Sequence, residues 1–132
     1  LFAVTDSAYT PSRILEIDAA LRDHRDLKSR VLECHPEFSF CRLNNDVPMS
    51  WPKKIKGAVN PEGIDERIAV LERHGLDRRL FENGAPRGAA MDDVVDAAVN
   101  LLMAERHAAG LTTPFPARPA HDRHGIAIAI HG

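Results

Sequence analysis

The sequence predicts an α/β fold in one domain, residues 1–132, with a small mixed sheet packed by helices. Three stretches carry that prediction. MDDVVDAAVNLLMAERHAA (91–109) repeats apolar residues at the helical period, through Val94, Val95, Ala98, Leu101 and Leu102. GIAIAIH (125–131) alternates with period two, so its isoleucines face one side of a strand and its alanines the other. SRVLEC (29–34) is short, partly β-branched and bounded by charged residues and Pro36, which reads as a second buried strand.

The other elements follow in order. Residues 12–24 form a helix, with Ser12 as cap and Ile14, Ile17 and Leu21 on one stripe. Pro36 either ends ladder pairing or opens a short helix, EFSFCRLN, at its first turn. Residues 44–60 hold two prolines, three asparagines and three lysines and read as a long surface loop, of a length often used for function. Asn60-Pro61 starts a helix that aligns Ile64, Ile68 and Leu71 and runs to Gly75. A helical turn over 77–82 precedes the breaker cluster NGAPRG. Gly110 ends the helix of 91–109, and LTTPFPARPAHDRHG follows as a proline-rich connector. Two strands alone leave open edges. Either further strands lie in the loops or a second chain, in a homodimer, completes the sheet.

At 132 residues the chain can bury a real core. With 44% apolar and 27% charged residues it is an ordinary globular composition. A formal net charge of -2 gives no global field for polyanions, so any nucleic-acid contact needs a local patch. Cys34 and Cys41 have no zinc or redox spacing and read as buried thiols in a reducing, cytoplasmic setting. No apolar run is long enough for a bilayer and no leader is evident, so no membrane partner is expected. The first residue is Leu1 rather than Met, which leaves room for upstream sequence. A Gly-rich phosphate loop, a nucleophile elbow and a Cys/His finger are all missing, which sets aside kinases, Rossmann enzymes, serine hydrolases and zinc fingers.

Two acidic clusters remain. Glu33, His35 and Glu37 alternate, so an extended segment points them one way. They are either a solvated edge, with Glu37 favoured by the dipole of a helix after Pro36, or oxygen ligands for magnesium or manganese. Asp92, Asp93 and Asp96 lie three and four apart at a helix start. The helix dipole and a capping role for Asp92 account for the first two. Asp96 adds like-charge repulsion, which a bound cation would reverse. Acids from a strand end and a helix start, meeting at one place, are the ingredients of a two-metal phosphodiester-cleaving site. His35 would orient a water or protonate a leaving oxygen, or serve as a structural hydrogen-bonder. Lys53, Lys54 and Lys56 beside Trp51 offer phosphate contacts and a stacking surface, or form a solvated loop with Trp51 covering the core. Arg78, Arg79 and Arg87 would widen that surface. His121 and His124 in HDRH have no specific ligand spacing.

The succession ILEIDAALR, RVLECHPEFSF, the lysine–glycine stretch before ERIAVLERHGL, DDVVDAAV and DRHGIAIAIH resembles the domain of unknown function 429 family. The resemblance runs from about Ile14 to the end, and the two acidic motifs carry most of it. Members of that family have been predicted to be RNase H-like nucleases. It implies an RNase H-like fold, or its C-terminal half, with Glu33, His35 and Glu37 at a strand end and Asp92, Asp93 and Asp96 starting the last helix. It also implies Glu33, Glu37, Asp93 and Asp96 as ligands of Mg2+ or Mn2+, and nucleic acid as the substrate. Family members carry earlier strands bearing the leading aspartates. Here only LFAVTD, ending in Asp6, imitates one, so a missing N-terminal half is an expected partner.

Overall fold

A computed structural model describes residues 12–132, with side chains from Leu15 onward. The expectations for Asp6, the Ser12 cap and Ile14 lie outside the described residues. The fold is mixed α/β, with four helices and two antiparallel sheets of two strands each among the described residues. The chain divides into two compact units, one within Leu1–Glu33 and Thr113–His131, the other over Cys34–Thr112.

In the first unit, α1 (Ser12–Asp23) leads into a 3-10 turn, Arg25–Ser29. The predicted strand over 29–34 is not there. Residues 31–35 have no regular structure, and Val31 is exposed. One ladder-like bond remains, from the His131 N–H to the Glu33 carbonyl at 2.9 Å. Leu32 and Cys34 alternate inward and are half-buried, while Val31 and Glu33 face water, and no run of ladder bonds turns this alternation into a strand. The predicted connector is instead β3 (Pro114–His121), paired antiparallel with β4 (Ala127–His131). Three prolines hid it. Proline cannot donate to a ladder, and the register slips between Phe115 and Ala120, where Pro116 and Pro119 lie. Asp122 builds the turn: its Oδ1 accepts from the N–H groups of His124 and Ile126, both at 2.8 Å. HDRH is therefore a hairpin corner, with Lys28 donating to the His124 carbonyl.

The second unit holds the core. α2 (Pro36–Leu43) starts at Pro36, whose missing N–H costs nothing at that position. α3 (Pro61–Arg73) and α4 (Met91–Ala108) both match their predicted spans. Phe40 and Leu43 of α2, Ile64, Ile68 and Leu71 of α3, and Val95, Val99, Leu102 and Met103 of α4 are buried together. Phe81, in the 3-10 turn Arg78–Phe81, closes the cluster. Among the described residues every buried apolar side chain belongs to this unit. Cys34 and Cys41 are half-buried rather than buried.

The long loop contains a small hairpin, β1 (Lys54–Ile55) with β2 (Ala58–Val59). Lys56 and Gly57 turn it, both with positive φ, at 51° and 82°. That is the two-residue turn that matches strand twist, and glycine at its second position is the favoured residue.

Candidate functional site

The site is built from the starts of two helices and from the strap, residues 48–54, that leads into the hairpin. Glu37 is in the first turn of α2, and Asp92, Asp93 and Asp96 are in the first turns of α4. Lys53 and Lys54 come from the strap. The Lys53 ammonium donates to Asp96 Oδ2 at 2.5 Å and lies 3.7 Å from Glu37 Oε1. Lys54 pairs with Asp92 Oδ2 at 2.6 Å. Arg67 of α3 donates to Glu37 Oε2 at 2.7 Å. Three carboxylates, Glu37, Asp92 and Asp96, thus meet three cations, and the side-chain charges cancel.

The cancellation is incomplete at the level of hydrogen bonds. Glu37 Oε1, Asp92 Oδ1 and Asp96 Oδ1 are each sealed from solvent with no hydrogen-bond partner. Such atoms are few in native proteins, and each marks strain, a catalytic role, or a place for water or an ion.

The sequence-predicted residues are distributed as follows. Glu37 and Asp96 converge on Lys53. Asp93 does not join them: its Oδ2 accepts from the Ala90 N–H at 2.8 Å, so the capping role expected of Asp92 belongs to Asp93. Asp92 is instead buried and paired. His35 is exposed at the N-cap of α2 and makes no capping bond, and none of the cluster's ion pairs involves it. Glu33 is exposed and belongs to the other unit. Lys53 and Lys54 neutralise acids; Lys56 is exposed at the hairpin tip. Arg78 pairs with Asp65 and Glu72, and Arg79 with Asp77. Among the described residues no three His, Cys, Asp or Glu side chains gather closely enough to hold an ion, because lysines intervene.

Two residues of the site carried an unread sequence signal. Arg67 stands three residues after Ile64 and four before Leu71, on the apolar stripe of α3. A charge on that stripe must be buried, and buried charges need partners. Asp92 precedes Val95 by three and Val99 by seven, which places it on the buried stripe of α4 in the same way.

The strap borders an open cavity of about 570 Å³ with Glu37 and Arg67, lined by Pro48, Met49, Trp51 and Pro52 beside the two lysines. Trp51 does not cover the core: it is 53% exposed. Glu66 reaches under the strap. Burial pushes its carboxyl up, but the Ser50 and Trp51 N–H groups it accepts from outweigh that and hold it below the ordinary glutamate value.

The bond from Lys54 lowers the Asp92 carboxyl below its ordinary value, against burial, and the same bond raises Lys54 above its own. The sign of the pH response follows. The Asp92 contribution is complete above the ordinary aspartate range, about 3.9, and is lost as pH falls through the depressed value. The Lys54 contribution is complete below about 10.4 and is lost as pH rises through the raised value. Thermal unfolding of wild type and Lys54→Met should therefore differ by a constant amount between about pH 5 and 9, with the gap closing at both extremes. A gap unchanged at pH 3 would mean that the pair contributes nothing.

A family model described as "Protein of unknown function (DUF429)" matches residues 5–121. No curated protein and no solved structure matches the chain. Among the described residues no helix is long and apolar enough to cross a membrane.

Proposed function

The chain belongs to the family of proteins of unknown function called DUF429, and from that membership and the carboxylate cluster we propose that it is a divalent-metal-dependent nuclease of RNase H-like type. The single observation that carries the reading is the set of three oxygens on Glu37, Asp92 and Asp96 that are sealed from solvent without a hydrogen bond. Carboxylate oxygens are the hard ligands that magnesium and manganese prefer. Glu37 and Asp96 would hold the ion, with Asp92 beside them. Asp93 fixes the start of α4. When bound, the ion would supply a Lewis acid for a phosphoryl oxygen and an acidified water. The protein's own groups arrange the charge around it. Lys53 now fills the gap between Glu37 and Asp96 as a monovalent stand-in, and its flexible stem lets it leave. Lys56, exposed on the hairpin tip, would meet backbone phosphates. The two half-buried thiols suit a reducing, cytoplasmic setting.

The decisive experiment combines an assay with a binding measurement. Wild type should hydrolyse a labelled oligonucleotide with manganese, and Asp96→Asn and Glu37→Gln should each abolish it. Calorimetry should show manganese binding more tightly to Lys53→Met than to wild type, by tenfold or more, since the competing ammonium is gone. No hydrolysis by wild type, or equal hydrolysis by Asp96→Asn, would end the proposal.

A further inference from the structure

Trp51 is the only tryptophan of the chain, and about half of its surface is exposed. The backbone that carries it is nevertheless tied down on both sides. Its N–H donates to Glu66 Oε2 at 2.9 Å, and its carbonyl accepts from Arg67 Nη1 at 2.9 Å. The Ser50 N–H before it donates to Glu66 Oε1 at 2.8 Å. The Pro52 carbonyl after it accepts from Asn60 Nδ2 at 2.7 Å, and the Lys53 carbonyl from the Asn60 N–H at 2.9 Å. Pro48 and Pro52 restrict φ on either side. Side chains and backbone of α3 and its cap thus order the strap around an indole that the fold leaves half in water.

A large aromatic surface on a fixed backbone binds with little further loss of freedom. What it would bind is indicated by its surroundings. The cavity beside it has proline and methionine walls, its cations Lys53, Lys54 and Arg67 are paired with Asp96, Asp92 and Glu37, and Lys56 adds an exposed ammonium at the tip of the adjoining hairpin. Apolar walls beside an indole and the exposed ammonium of Lys56 suit a ligand that joins a flat ring to an anionic group, more than a neutral proline-rich peptide. A base paired within a duplex is stacked on both faces and cannot lie on an indole, whereas an unpaired base can.

The geometry points to Trp51 as a stacking platform for an unpaired nucleobase, with Glu66 as the positioning residue that holds it. This rests on the nuclease reading for its setting and narrows the substrate to single-stranded nucleic acid. A phosphate flanking the stacked base meets Lys56, exposed at the hairpin tip.

The test uses the full chain with a chelator present, so that binding is measured without catalysis. A single-stranded oligothymidylate should quench Trp51 fluorescence, and a duplex of equal length should bind at least tenfold more weakly. By anisotropy of a labelled oligonucleotide, Trp51→Ala should weaken single-strand binding about tenfold or more, and Trp51→Phe should recover most of it. Glu66→Gln should weaken it severalfold and shift the Trp51 emission, with the circular dichroism unchanged. The inference is overturned if Trp51→Ala binds the single strand as wild type does. Equal or tighter duplex binding overturns it too, as does quenching by a proline-rich peptide without quenching by the oligonucleotide. Binding in chelator without hydrolysis in manganese would sink the nuclease reading and leave the platform. Hydrolysis with undiminished single-strand binding by Trp51→Ala would do the reverse.

Discussion

Arg67→Ala should destabilise the protein by about 3–5 kcal/mol, measured by urea unfolding. Arg67 is 2% exposed, and its guanidinium serves three acceptors: Glu37 Oε2, the Trp51 carbonyl and the Gly63 carbonyl. It also lies 5.6 Å from the centre of the Phe40 ring, within cation–π range. Alanine leaves a carboxylate and two carbonyls short of a donor and opens a void beside the core. Glu37 is 39% exposed, so water recovers part of the loss, which favours the lower half of the range. Arg67→Lys should recover only a fraction, because one ammonium cannot reproduce a planar fork with several donors. A loss below about 1 kcal/mol would mean that Glu37 and the strap do not depend on this residue.

Gly63→Ala should also destabilise, by about 2–3 kcal/mol, although alanine is the better helix former by about 1 kcal/mol. Gly63 is inside α3, and a Cβ there would overlap the Pro52 carbonyl oxygen and lie 2.7 Å from its carbonyl carbon. Both are backbone atoms, so the strap has to move as a whole. That displacement would break the bond from Asn60 to Pro52 and alter the setting of Trp51. The expected signature is a lower urea midpoint together with a shifted tryptophan emission in the native baseline. A stabilised Gly63→Ala would show that the helix and the strap are not in contact there.

The helices were legible because each carries its own local signals. Pro36 and Pro61 mark first turns, and the apolar period of 91–109 needs no tertiary information. The strands were harder. β4 shows plain alternation, but β3 hides behind Pro114, Pro116 and Pro119, which argue against a strand everywhere except in a bulged hairpin. The segment 29–34 had the composition of a strand, but its one ladder-like bond, from His131 to Glu33, is too little to make one. For the site, the sequence pointed to Glu37 and Asp96 as acids at helix starts. It could not show that Lys53 would stand between them, because that contact joins residues 43 apart. The capping bond expected of Asp92 falls to Asp93 because capping depends on backbone geometry at Ala90, which composition does not encode.

The strap has one further consequence. Apart from the two-stranded hairpin at its end, its backbone is held by Asn60, Glu66 and Arg67, all of α3 or its cap, while the side chains of Lys53 and Lys54 tie it to α2 and α4. No ladder runs along residues 48–53 to divide the strap into independently held pieces. The Ser50 and Trp51 amides share one acceptor side chain, Glu66, so they should exchange with solvent together, as a single local opening.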